Sequence, residues 1–203
     1  MKKNPLIGIS GNIGVGKTTF AKVMSDKLSW QVIYESVIDN PYLKDFYSDM
    51  NRWSFNLQIY FLYHRFKNQL KLSSCETGVI QDRTIYEDAE IFAKNLHEMK
   101  VLSQRDWDTY RNLFYSMEKL LKKPDLIIYL RASTDTLISR INSRDRSFEK
   151  TISLDYLHRL NISYEEWAKK TKFNVLVLDT DNFNIFKDTE KLNDYIDRIR
   201  NSL

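Results

Sequence analysis

Cysteine is all but missing from this chain. Cys75 is the only one, so no disulfide can form within the molecule, and a reducing, cytoplasmic setting is expected. Glycine and proline are also scarce, at 5 and 3 residues, and no stretch reads as a flexible tail or linker. No run of about 18 apolar residues occurs, so no membrane-spanning helix is expected, and with so few residues before Gly11 no signal-peptide core is expected either. The formal charge of +4 is mild and scattered. It suits a small anionic ligand and gives no ground for a nucleic-acid or membrane partner. Cys75, His64, His97 and His158 lack metal-ligand spacing and read as structural or incidental. What remains is 203 residues, 42% hydrophobic and 29% charged. That is enough for one well-buried domain over 1–203, whereas two would be cramped.

Apolar runs too short for anything but strands alternate with helical patterns. Strands are expected at Leu6–Ser10, Gln31–Glu35, Gly78–Gln81, Asp125–Leu130 and Asn174–Leu178. Between them the spacing predicts helices over 17–28, from Asn40-Pro41 through Tyr47, over 52–72, 88–97, 103–121, 134–141, 154–170 and 189–199. Phe55, Ile59, Leu62 and Phe66 recur at helical intervals in the longest of these. Strands that are apolar along their whole length and alternate with helices mean a parallel sheet covered on both faces. The expected fold is therefore a three-layer α/β/α domain with a five-stranded parallel sheet. The polar segment from Asn142 to about Lys150 would form a helical lid.

Gly11-Asn12-Ile13-Gly14-Val15-Gly16-Lys17-Thr18 satisfies the G-x-x-x-x-G-K-[ST] phosphate-loop pattern and sits between the first strand and its helix, with Thr19 next in line. Glycines let such a loop turn its N–H groups inward, and the helix that follows adds its positive end. Lys17 would reach the β- and γ-phosphates of ATP, and the Thr18 hydroxyl would hold Mg²⁺. In an open α/β sheet the ligand lies beyond the carboxyl ends of the strands. Tyr34-Glu35 and Asp82-Arg83 end the second and third strands there. Glu35 is suited to take the proton of an attacking hydroxyl; otherwise it is a solvated loop carboxylate. Asp82 could support the metal and Arg83 the phosphoryl group; otherwise they are a surface pair. Gln58, Phe61 and Arg65 share one helix stripe, built either to meet a nucleobase edge or to face water. Tyr42, Tyr47, Tyr60 and Tyr63 nearby could be core or stacking surfaces. Arg140, Arg144 and Arg146 could close over the donor phosphates, or form an ordinary basic loop.

Taken together, these segments resemble the deoxyribonucleoside kinase family. The resemblance covers nearly the whole chain. It rests on Gly11 to Thr18, Tyr34-Glu35, Arg52 to Gln58, Asp82-Arg83-Thr84, Arg140 to Arg146 with Glu149, and Leu154-Asp155-Tyr156-Leu157. It implies transfer of the ATP γ-phosphoryl group to a deoxynucleoside 5′-hydroxyl, with Mg²⁺ required and a homodimer as the common assembly. It also implies roles: Glu35 as base, Tyr47 and Glu149 on the sugar 3′-hydroxyl, Gln58 on the base edge, Leu57 and Phe92 on the base faces. Arg65 and Asp88 match an Arg-Asp pair found in members that take purines or cytosine, which favours deoxyadenosine, then deoxyguanosine, with deoxycytidine as a side substrate. The chain departs from the family's pattern at Ser36, at Leu57 in place of an aromatic, and at Asp82-Arg83-Thr84, where the shorter acid suggests metal contact through a water.

Three alternatives are weighed against this. A thymidylate-type monophosphate kinase would have to seat an acceptor phosphate beside the Glu35 carboxylate, which repels it. A shikimate- or gluconate-type kinase leaves the Gln58 stripe unexplained. A nucleotide-dependent switch usually carries an Asp at the strand end where this chain has Tyr129-Leu130-Arg131.

Overall fold

In the computed structural model, which describes residues 4–34, 40–144 and 152–203, β1 (Leu6–Ser10) forms the middle of a sheet with strand order β2-β3-β1-β4-β5. The other strands are β2 (Gln31–Ile33), β3 (Val79–Asp82), β4 (Leu126–Arg131) and β5 (Val175–Asp179). All pairings are parallel, with Ile9 level with Asp82, Ser10 with Tyr129, and Arg131 with Asp179. The carboxyl ends of the strands therefore open onto one edge. β2 ends at Ile33, so Tyr34, expected in the strand, is outside the ladder, and Glu35 lies outside the described residues.

The helices are α1 (Lys17–Leu28), α2 (Leu43–Ser48), α3 (Met50–Leu70), α4 (Ile85–Glu87), α5 (Lys94–Glu98), α6 (Gln104–Glu118), α7 (Thr134–Asn142), α8 (Leu154–Lys170) and α9 (Thr189–Asn201), with a 3₁₀ turn at Lys71–Ser74. The starts of α3, α6, α7 and α8 follow from side-chain oxygens that accept otherwise unpaired backbone N–H groups. Asp49 accepts from Arg52 N, Ser103 from Asp106 N, Ser133 from Thr136 N and Ser153 from Tyr156 N. α2 begins two residues beyond Pro41, because the Asn40 side chain accepts from Tyr42 N at 2.9 Å and closes a turn first. The helix expected from Asp88 instead starts at Ile85. Its middle, Asp88–Ala93, is a π-helical stretch, a widening often found at functional sites.

Alternate residues of β4 build the two cores, as the strand period requires. Ile128 and Leu130 pack with Ile7, Ile9, Phe20, Met24, Leu192 and Ile196, under α1 and α9. Ile127 and Tyr129 face the other way, into the core that α3, α6 and α8 share with Leu62, Tyr86, Leu96 and Leu160. This is the three-layer arrangement expected from the sequence.

Candidate active site

β1 hands directly into the phosphate loop. Gly16 caps α1 at φ 99°, with nothing within 4 Å of where a Cβ would stand, so only its left-handed backbone calls for glycine there. Gly14, at φ 91°, is also crowded: a Cβ would lie 2.9 Å from the Leu137 carbonyl oxygen on α7. Lys17 Nζ donates to the carbonyls of Gly11 at 2.7 Å and Asn12 at 2.9 Å. The Asn12 side chain is buried and turned away from the cleft. It accepts from Ile13 N and donates to Leu157 O at 2.9 Å and to Asn161 Oδ1 at 2.6 Å. Asn161 in turn donates to Ala132 O at 3.0 Å. The loop is thus clamped to α8 and to the end of β4.

At the end of β3, Asp82 Oδ2 accepts from Thr18 Oγ1 at 2.5 Å. A hydroxyl and a carboxylate side by side, beside phosphate-seeking N–H groups, form the hard oxygen donor set that suits Mg²⁺, which takes few protein ligands and completes its shell with phosphate and water. Asp82 thus reaches Thr18 directly. Arg83 has a left-handed backbone, φ 72°, and its guanidinium is buried. It lies 3.0 Å from Glu87 Oε1, 3.3 Å from the Tyr164 hydroxyl and 4.5 Å above the Phe92 ring. Ser10 Oγ and Tyr164 donate to the two oxygens of Glu87.

Beyond this point the cleft, about 1230 Å³ in volume, runs between α2, α3 and the π-helical stretch. Tyr47, Leu57, Gln58, Phe61, Arg65, Asp88 and Phe92 line that end. Arg65 and Asp88 form a buried ion pair at 2.5 Å, with the Arg65 guanidinium 4.9 Å from the Phe61 ring. Gln58 is 2% exposed and Arg65 6%, so this stripe faces inward and not toward water. The most buried line of α3 is Ser54, Leu57, Gln58, Leu62, Arg65 and Gln69, whereas Phe55, Ile59 and Phe66 are only half-buried. Gln58 Oε1 has no hydrogen-bond partner among the described residues. A buried acceptor left so is costly unless a ligand supplies the donor. Of the tyrosines in question, Tyr47 lines the cleft while Tyr63 is half exposed.

The other end of the cleft lies over α1. Thr18, Thr19, Arg140, Arg144, Thr180, Phe183 and Phe186 contribute to it. Arg140 donates to Val15 O at 2.9 Å, to Thr180 Oγ1 at 3.1 Å and to Thr180 O at 2.5 Å, so its guanidinium ties the phosphate loop to the end of β5. Burial holds its pKa below the usual arginine range, and Asp181 offsets this only in part. Glu35, Arg146 and Glu149 lie outside the described residues.

Several residues of the site escaped the sequence reading. Glu87 carried a usable signal, an acid four residues after Arg83 in a helical segment. Tyr156 lines the cleft and sits in a segment already noted for its resemblance, where no role was given to it. Tyr164, Phe183 and Phe186 carry no local pattern.

A family model described as deoxynucleoside kinase matches residues 7–203. Among curated proteins, a deoxyadenosine/deoxycytidine kinase of Bacillus subtilis is 38% identical over 97% of this chain and 92% of its own length. A deoxyadenosine kinase of Dictyostelium discoideum is 42% identical over 92% of this chain and 75% of its own. Among solved structures, a deoxyadenosine kinase from M. mycoides with dCMP and dCDP bound superposes with a TM-score of 0.84 at 35% identity, covering 95% of this chain and 99% of that one.

Proposed function

This chain belongs to the deoxynucleoside kinase family, and from that premise we propose that it moves the γ-phosphoryl group of ATP to the 5′-hydroxyl of a deoxynucleoside, deoxyadenosine first and then deoxyguanosine or deoxycytidine. The carrying observation is the buried Arg65–Asp88 pair beside the unpartnered Gln58 Oε1. A carboxylate bridged to Arg accepts from an exocyclic amine, and a buried amide oxygen seeks a donor on the base edge. Adenine, guanine and cytosine carry such an amine; thymine does not.

Glu35 would take the 5′-hydroxyl proton as that oxygen attacks the γ-phosphorus and the bond to the bridging oxygen of ADP breaks. Lys17, Arg83, Arg144 and Arg146 would neutralise charge on the phosphoryl group, and Arg140 would hold the loop that cradles the donor. Tyr47 and Glu149 would bind the sugar, and Leu57 and Phe92 would flank the base. Thr18 and Asp82 would hold Mg²⁺, which neutralises phosphate charge when bound. The whole of 1–203 acts as one kinase domain, in the cytoplasm, supplying deoxynucleoside monophosphates for salvage. A homodimer is supported by apolar residues left exposed on neighbouring helices: Tyr63 and Leu70 on α3, Leu113 on α6 and Leu120 just past it. No helix among the described residues is long and apolar enough to cross a membrane.

The test is ADP release from Mg-ATP in the presence of each deoxynucleoside, then each deoxynucleoside monophosphate. Acceleration by deoxyadenosine, and little by thymidine, is expected. Acceleration by monophosphates alone, or release indifferent to every acceptor, would overturn the assignment.

A further inference from the structure

Glu87 is fully buried, with no exposed side-chain surface, and it does not line the cleft. Both its oxygens are engaged: Oε2 by the Ser10 hydroxyl at the end of β1, Oε1 by Arg83 at 3.0 Å and by the Tyr164 hydroxyl at 2.9 Å. A single carboxylate thus joins the residue that precedes the phosphate loop, the arginine that follows β3, and α8. Taking a carboxylate out of water is expensive, and a packed apolar side chain would usually be no worse for stability. The ion pair therefore needs another reason to be there.

The reason lies in Arg83. Its backbone is left-handed, which costs a non-glycine residue about 1 kcal/mol or more. Its guanidinium must point to one place, against the ring of Phe92 and toward the loop carbonyl of Gly11 at 3.5 Å. Glu87 lies four residues further along and holds that guanidinium at 3.0 Å. The next residue, Asp88, does the same for Arg65 in the acceptor half of the cleft. We propose that Glu87 is a positioning residue that sets the aim of Arg83 at the phosphoryl group in flight, while its neighbour Asp88 sets the base contact, so that two successive acids divide rate from substrate choice. The inference rests on the reading of Arg83 as a phosphoryl-contacting group. Burial pushes the Glu87 carboxyl up from its ordinary range, and Arg83 opposes that more strongly than Lys17, the Ser10 hydrogen bond or Arg65. The pair is thus the main compensation for a buried charge.

The test is a double-mutant cycle on the full chain with Mg-ATP and deoxyadenosine. Glu87→Gln keeps the shape and leaves one oxygen to accept from Tyr164, while its amide N–H can donate to the Ser10 hydroxyl, which turns to accept; what it removes is the charge. Its kcat is expected to fall about 10- to 100-fold, the scale of a misaimed catalytic contact. KM for both substrates and the order of preference among deoxynucleosides should stay within about threefold, because uniform binding is untouched. In an Arg83→Lys background the same change is expected to add almost nothing, since it acts through Arg83. A merely structural role would give additive losses that track thermal stability. Wild-type kcat in Glu87→Gln, or full additivity in the cycle, overturns the proposal while leaving Arg83 in place. Wild-type kcat in Arg83→Lys alone overturns the reading of Arg83 and the proposal with it. Should Glu87→Gln be recovered unfolded, Ser10→Ala, which releases the other carboxylate oxygen, carries the same cycle with a smaller expected loss, and additivity there overturns the proposal.

Discussion

The Thr18 hydroxyl donates to the Asp82 carboxylate across 2.5 Å, bridging the first turn of α1 and the end of β3. One oxygen of the pair belongs to the phosphate loop and the other to the strand beside it, so an ion between them would report on both. Asp82→Asn keeps the volume and loses the charge. Its apparent Mg²⁺ affinity is expected to fall about 10- to 100-fold in ATP turnover titrated with the metal. Nucleotide binding measured in chelator should be unchanged. A variant with wild-type Mg²⁺ dependence would remove Asp82 from the metal site.

Glu35→Gln should lower kcat by about 10²-fold or more, the scale of a lost general base, with ATP affinity retained. Single-turnover transfer to deoxyadenosine measures this directly. Full activity in the variant removes Glu35 from the chemistry.

The Arg65–Asp88 pair leads to a prediction about selectivity. Asp88→Asn removes the charge that orients Arg65 while keeping the shape. Catalytic efficiency on deoxyadenosine should drop by about 10²-fold or more, as in sites where a recognition hydrogen bond is lost. The ratio of thymidine to deoxyadenosine efficiency should rise. A uniform fall on all four deoxynucleosides would assign Asp88 to stability alone.

Tyr86 is buried against Phe114 and Phe173, and its hydroxyl has no hydrogen-bond partner among the described residues. Burial first, then Glu118 and Glu90, push its pKa up to about 12 from 10.0. The folded chain holds this proton more tightly than the unfolded one, so the stability linked to it is complete below pH about 10 and is lost as pH rises through about 12. Tyr86→Phe removes an unsatisfied buried group. It should gain about 1 kcal/mol, or about 2–4 °C in Tm, at neutral pH, with the gain widening in alkali. Thermal melts at pH 7 and above pH 10 check both halves.

For the assembly, Tyr63→Glu combined with Leu113→Glu places charge on the exposed apolar residues of α3 and α6. If the proposed homodimer uses this face, the wild-type chain should sediment as a dimer and the variant as a monomer, with melting still cooperative. A variant still dimeric would move the interface elsewhere, and a monomeric wild-type chain would overturn the proposed assembly.

The architecture was legible because its signals are local. Ile127 and Ile128 read as strand whichever core they enter, and the glycines at 11, 14 and 16 announce the loop by spacing alone. The three strand ends that converge on the cleft followed from parallel pairing. The burial of Gln58 and Arg65 did not, because an amphipathic pattern cannot tell water from a pocket as the destination of a polar stripe. Their apolar neighbours Phe55, Ile59 and Phe66 suggested a different inward face. Least legible was the group around Glu87. Only its contact with Arg83, four residues away, left a trace in the sequence; its partners Ser10 and Tyr164 are each 77 residues distant, and a buried hydrogen bond between remote segments leaves no periodic trace. The π-helical stretch was hidden too, since one turn with a widened ladder has the composition of an ordinary helix.

Asn12 is one of the motif's variable letters, yet it is the residue that α8 grips, through Leu157 and Asn161. The curvature of the loop is therefore imposed partly by a helix encoded far downstream. Grafting the glycine-lysine-threonine segment onto another scaffold without that grip would copy the spelling and lose the shape. In this molecule the phosphate cradle is a property of tertiary structure, of which the signature is only the visible part.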